Sequence, residues 1–270
     1  MMMKALKSIT VTLFMFISSV GTAIADGKQE SFLGRAYDQE TGKPLYKAIH
    51  QIELNKSGEY ERYVVDYLSF GGEPIARKQL DFSQTQPGEL FRPHLDFFDF
   101  RNRDQVKTRN VSAGKIALTR TQETDETVAY DSKELLVVDA GFDRLVASRW
   151  DALVAGKELE FEFLALTRAS LVTLALGQTE DQPGDGRIRL SITASNWLLG
   201  LLMSPIFLEY DLETRRLLRY EGLTNIARSL EGEPSQVLDE NYRAIIEYEY
   251  DVSLPTDSKY AAQGRESDHS

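Results

Sequence analysis

Between residues 32 and 250 the chain is dominated by apolar and polar side chains that alternate with a period of two. In residues 157–166 (KELEFEFLAL), Leu159, Phe161 and Phe163 alternate with Glu158, Glu160 and Glu162. In residues 187–194 (RIRLSITA), Ile188, Leu190, Ile192 and Ala194 alternate with Arg187, Arg189, Ser191 and Thr193. Tyr242, Ala244, Ile246, Tyr248 and Tyr250 share one side of a further stretch. Successive side chains of a strand point to opposite faces, so this pattern predicts strands with one face buried and one in water, the usual antiparallel case. Further strands are predicted over 32–38, 45–55, 60–70, 75–82, 95–101, 107–121, 134–138, 169–177 and 206–222, the last holding a hairpin at 210–216. Turn chemistry also stands at 39–44 (QETGKP) and 181–186 (DQPGDG). Successive strands joined by short turns imply an antiparallel meander rather than βαβ units.

Two segments break the alternation. Residues 141–155 place Phe142, Leu145, Val146, Trp150 and Leu153 along one stripe, with Asp143, Arg144, Ser148 and Asp151 off it, and Gly156 follows as a C′ residue. This predicts an amphipathic helix. A second helix is expected over 196–203, opened by Asn196 as N-cap and apolar nearly all round through Trp197, Leu198, Leu199, Leu201, Leu202 and Met203. Such a helix must be buried or bind something apolar. Together the elements predict a mainly β (α+β) fold, a strongly curved antiparallel sheet or half-barrel with one or two helices on its concave side. A half-barrel whose helices do not fill it leaves an apolar cavity.

Composition narrows the chemistry. The 270 residues include no cysteine, which excludes disulfides, thiol nucleophiles, zinc-thiolate sites and an N-terminal lipidated Cys. Lys and Arg number 31 against 42 Asp and Glu, a net charge of −11 that argues against nucleic-acid binding. Residues 1–25 read as a secretory signal: Lys4 and Lys7, an apolar run over 9–17 too short for a bilayer, and Ala23-Ile24-Ala25 before a mature Asp26. The stretch 197–208 falls short of a membrane span and is broken by Gly200 and Pro205. The organisation expected is a signal peptide at 1–25, a single curved β domain at 26–254 and a disordered polar tail at 255–270.

The order of these parts resembles the half-barrel proteins of the LolA/LolB-like lipoprotein-carrier superfamily and exported bacterial proteins related to them. The resemblance is carried by Asp139-Ala140-Gly141-Phe142-Asp143-Arg144, leading through Trp150-Asp151-Ala152-Leu153 to Gly156. The strands at 157–166 and 169–177 follow, then Ile206-Phe207-Leu208-Glu209-Tyr210-Asp211 and Leu217-Leu218-Arg219-Tyr220-Glu221-Gly222. It spans residues 130–250. It implies a concave apolar surface that holds acyl chains or an apolar peptide. The chain departs from the membrane-anchored branch in lacking the lipidated Cys, and it is longer than a minimal carrier.

No catalytic signature emerges. His50 and His94 lie in different strands without metal-ligand spacing, and His269 is in the tail. Asp96 and Asp99 fall on opposite faces of one strand and read as solvated acids beside an aromatic core. Glu158, Glu160 and Glu162 form an acidic face, and Arg187 and Arg189 a basic one that pairs with it if the two strands adjoin. The 181–186 loop fails the calcium-loop pattern and is a turn; Asn110-Val111-Ser112 is a formal glycosylation sequon. No metal and no cofactor is expected.

The function expected is a non-catalytic envelope binder or carrier of a lipid or hydrophobic peptide, exported to the periplasm or secreted. The ligand contacts would be Phe142, Leu145, Trp150, Leu153, Trp197, Leu198, Leu201 and Leu202. The alternatives are a scaffold that pairs through a sheet edge and a carboxylate-based hydrolase. Oligomeric state is not legible.

Overall fold

The computed structural model describes residues 28–83, 90–121, 125–131, 135–166, 168–195, 204–228 and 241–252. The predicted signal segment, the 196–203 helix and the polar tail lie outside them. The first half of the chain forms β1 (Gln29–Asp38), β2 (Pro44–Leu54), β3 (Tyr60–Leu68), β4 (Pro74–Asp81), β5 (His94–Asp99), β6 (Asp104–Ser112), β7 (Lys115–Arg120) and β8 (Glu126–Ala129). The second half forms β9 (Leu136–Val137), helix α1 (Gly141–Val154), β10 (Leu159–Ala165), β11 (Ser170–Gln178), β12 (Arg187–Ala194), β13 (Ile206–Asp211), β14 (Leu217–Ala227) and β15 (Asn241–Tyr250). The expected antiparallel meander runs over β1–β8 and over β10–β15, but β9 and β10 run parallel and β8 does not pair with β9. The stretch read as one strand over 107–121 is a hairpin, because Gly114 turns the chain at φ 79°.

The fifteen strands among the described residues belong to one sheet, ordered β8-β7-β6-β5-β4-β3-β2-β1-β15-β14-β13-β12-β11-β10-β9. Consecutive strands β8 and β9 therefore stand at opposite ends. Laid flat, fifteen strands span roughly 67 Å, yet the link over 130–135 reaches at most about 25 Å. Chain connectivity alone forces the sheet to curl until its ends meet.

The ends overlap. Tracing the register from strand to strand puts Ile116, Leu95, Leu80, Tyr63, Tyr248 and Leu208 on the concave face. On β9 and β10 the same trace puts Val137 and Phe163 inside, with Leu136 and Leu164 outside. Ile116 and Val128, on the inner face of β7 and β8, nevertheless form one buried cluster with Leu136, Val138 and Leu164. The first end thus laps over the back of the other, as in a scroll, and Arg120 Nη1 donates to the Leu166 carbonyl across the lap at 3.4 Å.

Helix α1 lies inside the scroll. Leu145, Val146, Trp150 and Leu153 pack on Phe161, Leu174, Ile188, Leu190, Leu208 and Tyr210 of β10–β13. The helix stops at Gly156, whose φ is 79°, and Gln178 Nε2 donates to the Leu153 and Val154 carbonyls at 2.8 and 2.9 Å.

The outer face is charged. Arg35 pairs with Glu249, Arg187 with Glu209 at 2.8 Å, Arg189 with Glu221 at 3.6 Å and Arg219 with Glu247 at 3.5 Å. The expected pairing of Glu158, Glu160 and Glu162 with Arg187 and Arg189 does not occur, because β11 separates β10 from β12. No described helix is long and apolar enough to cross a membrane. The charged outer positions of these strands also differ from the apolar belt of a transmembrane barrel.

Leu164→Ala should destabilise the fold by about 2–5 kcal/mol, since it opens a cavity in the lap. Glu160→Gln on the exposed face should stay within about 0.5 kcal/mol. Urea denaturation of both variants checks the overlap.

Candidate functional site

The concave face divides in two. Helix α1 covers β10–β13, whereas β1–β4 and β13–β15 present aromatic rings. Phe32, Tyr60, Tyr220, Tyr242, Tyr248 and Tyr250 are only half-buried there, although they stand on the inner face. The rings form a continuous array: Phe32 stacks on His50 (centroids 4.4 Å apart, 8° between planes) and on Tyr250 at 4.9 Å. Tyr248 meets His50 edge-on at 5.7 Å, and Tyr60 meets Tyr63 at 6.0 Å. Gly34 makes the close approach possible: a Cβ there would lie 3.2 Å from both Ile246 and Tyr248.

His50 is nine-tenths buried within this array. Its Nδ1 shares a 2.7 Å hydrogen bond with the Tyr63 hydroxyl, while Nε2 is buried without a partner. Burial, reinforced by the charge on Lys78, pushes the imidazole down to about 3, so His50 is neutral at physiological pH.

The turn that starts α1 is pinned from three sides. Asp139 adopts φ 44°, a strained value for a residue other than glycine. Its Oδ1 accepts from Lys78 Nζ of β4 at 2.7 Å and from the Ala140 N–H at 2.7 Å, and its Oδ2 accepts from Asn225 Nδ2 of β14 at 2.9 Å. Burial works against the Lys78 charge, but Asp139 and the Tyr67 hydroxyl outweigh it and hold the ammonium protonated. Two residues on, Gly141 leaves no room for a side chain, as a Cβ would fall 2.0 Å from the Phe91 carbonyl oxygen.

Asp143 follows in the first turn of α1. Its carboxyl interacts electrostatically with Tyr60 and Tyr63 of β3, Tyr210 of β13 and Tyr248 and Tyr250 of β15. The residue is half-buried; its N–H donates to the Ala140 carbonyl at 3.1 Å, while its carboxyl makes no hydrogen bond or ion pair with the described residues. Burial, against the opposing pull of Lys78, pushes it up to about 7.

Of the residues expected to contact a ligand, Leu145, Trp150 and Leu153 are buried between helix and sheet. Phe142 is half-buried, 5.8 Å from Phe161. Trp197, Leu198, Leu201 and Leu202 lie outside the described residues. His94 and Asp96 share the outer face of β5, where Asp96 pairs with Arg109 at 2.5 Å. Asp99 is not the solvated acid expected: it points inward, is buried, and takes a bidentate hydrogen-bonded pair from Arg101 at 2.9 and 2.5 Å. Sequence reasoning missed Lys78, Tyr63, Tyr67 and Asn225 as site residues. The signal that could have flagged the tyrosines is their spacing at 60, 63 and 67 and at 242, 248 and 250.

No protein-family model matches the chain, and no curated protein matches it. Among solved structures, one match is a beta-barrel-like protein of a domain of unknown function, DUF1849, from Brucella abortus. It is 9% identical over 83% of this chain and 97% of that one, with a TM-score of 0.38.

Lys78→Met should cost about 3–5 kcal/mol by leaving Asp139 buried and unpaired, and adding Asp139→Asn should recover part of that loss. A double-mutant cycle in urea measures the coupling. The two shifted groups give opposite pH dependences. The unfolded chain protonates His50 near 6.5 and the folded chain only near 3, so its contribution is lost as pH falls through that window. The folded chain keeps a proton on Asp143 up to about 7 that the unfolded chain releases near 3.8, so its contribution is lost as pH rises from about 4 through 7. His50→Gln and Asp143→Asn should each flatten one of the two slopes in urea midpoints measured from pH 4 to 8.

Proposed function

We propose that the protein is a non-catalytic binder of an apolar ligand, a lipid or a hydrophobic peptide segment, held inside the scroll against the aromatic face. The observation that carries this reading is the band of half-buried rings on β1, β3, β14 and β15. The described residues bury the β10–β13 half of the concave face under α1 and leave this band incompletely covered. Half-buried aromatics on an inner face supply apolar area, at about 25 cal/mol per Å², that a ligand would remove from water. The hydroxyls at their rims tolerate the partial wetting of the unliganded state. Phe142 would form the helix side of the site, with Leu145, Trp150 and Leu153 as its support beneath.

The carrier-like resemblance read from the order of parts implies the same kind of concave apolar surface, and the export reading of residues 1–25 would put it in the envelope. A scaffold role through a sheet edge is less favoured by the geometry. β8 is four residues long and β9 only two, too short to template a long added strand.

Solvent extraction of the purified protein followed by lipid mass spectrometry should recover bound lipid. A fluorescent apolar probe such as N-phenyl-1-naphthylamine should bind saturably and be displaced by fatty acyl chains. Phe142→Ser should weaken that binding at least about 5-fold with the circular dichroism spectrum unchanged. No recovered lipid together with non-saturable probe uptake would refute the reading.

A further inference from the structure

Independently of any ligand, we propose that acidification parts the seam between β1 and β15, with His50 as the group that takes up the proton. The imidazole stands over the seam itself. His50 belongs to β2, yet its ring leans across β1, because Gly34 of β1 has no side chain to block it. A Cβ on Gly34 would lie 3.5 Å from His50 Nε2 and 3.2 Å from both Ile246 and the Tyr248 ring of β15. Gly34 and Tyr248 are partners across the seam, and the two rings meet edge-on above it at 5.7 Å.

The two ring nitrogens have different surroundings. Nδ1 shares its 2.7 Å hydrogen bond with the Tyr63 hydroxyl of β3, on the side of β2 away from the seam. Nε2 is buried with no hydrogen-bond partner, at the spot where Ile246 and the Tyr248 ring close in on Gly34. A bare lone pair is tolerable there. The imidazolium would instead place a buried charge and an unsatisfied N–H at the same point. Ile246 and Tyr248 leave with β15 when the seam parts, so water reaches Nε2 while the bond to Tyr63 stays in place. The open form therefore binds a proton that the closed form excludes, and acid favours opening.

The seam is also where the sheet parts most simply. Every other neighbouring pair among the described strands is consecutive in the chain, and β1 with β15 alone is not. On the inner face the ring array crosses it: Phe32 of β1 stacks on His50 at 4.4 Å and on Tyr250 of β15 at 4.9 Å. The imidazole is thus one member of the stack that clasps the two halves. On the outer face Arg35 pairs with Glu249 across the same seam, a partly exposed pair that adds little.

The other titratable groups that face His50 do not reproduce this response. β1 offers it only Phe32 and Gly34. Burial raises Tyr63 of β3 and Tyr248 of β15 well above the ordinary phenol range, so both stay neutral. Lys78 of β4 stays protonated against Asp139. Asp143 of α1, which shares the field of Tyr63 and Tyr248, holds its proton in the folded chain and acts in the opposite sense.

Backbone hydrogen exchange of the full-length protein at pH 7.5 and 5.0, corrected for intrinsic rates, is the test. An imidazole that protonates near 6.5 when open and near 3 when closed favours opening about 30-fold more at the lower pH. Protection of the amides bonded between β1 and β15 should fall by about that factor, while that of β11 and β12 falls by less than about 3-fold. His50→Gln and His50→Phe, which cannot take up the proton, should bring the change at the seam within about 3-fold. Glu249→Gln, on the outer face of the same seam, should leave the response intact. If neither His50 variant folds, the double variant His94→Gln/His269→Gln, which keeps His50 as its only histidine, decides the matter and should retain the whole response. Seam protection that ignores pH, an equal loss in all strands, a response that survives in either His50 variant, or its loss in the double variant would overturn the proposal.

Discussion

The position of everything inside the scroll depends on the contact between Lys78 and Asp139. Removing an ammonium and a carboxylate from water costs several kcal/mol per ion, and their attraction does no more than offset that cost. The contribution of the pair is therefore geometric. It ties the start of α1 to β4, and the second carboxylate oxygen extends the tie to β14 through Asn225. The strained backbone of Asp139 and the missing side chain of Gly141 fit the same turn against the Phe91 carbonyl. With its first turn so fixed, the helix can present Leu145, Trp150 and Leu153 to one half of the concave face.

That division organises the interior. Over β10–β13 the apolar stripe of the helix completes an ordinary packed core, with Leu145 and Leu176 wholly removed from solvent. Over β1–β4 and β13–β15 the side chains are larger, ringed and hydroxylated, and many stay half-covered. Outside, the same strands carry arginines and glutamates in cross-strand pairs. Each exposed pair adds little to stability, but together they keep one face wet, and the alternation of the chain then assigns the other face to the interior without ambiguity.

Much of the fold was legible for that reason. The period-two stretches located most strands within a few residues, and the stripe from Phe142 to Leu153 with Gly156 behind it located α1. The sheet order was not legible. Nothing local in Glu160 or Arg189 says that β11 stands between their strands, and the 107–121 stretch hid its turn because one glycine reverses it. β8 is too short to show a period. The site was legible only in pieces. Asp139 and Asp143 stood in the segment that carried the family resemblance, yet Lys78 lies 61 residues from Asp139. Only the register of a long curved sheet brings such partners together. Asp99 misled for a related reason: its face could be read, but its burial under the Arg101 guanidinium could not.

The pairing of β1 with β15 joins the first described strand to the last at the centre of the sheet. The strands β1–β8 and β10–β15 form local meanders that can zip from turn to turn, but the seam between the halves closes only after the whole chain is available. Long-range pairings of this kind raise contact order and slow folding. Until β15 arrives, β1 shows an unpaired edge and the tyrosine-lined face lies open. The protein therefore has a built-in delay, a period in which the unfinished half-sheet is most exposed to edge-to-edge association, and truncation at the C-terminal end should be felt at the middle of the molecule rather than at its rim.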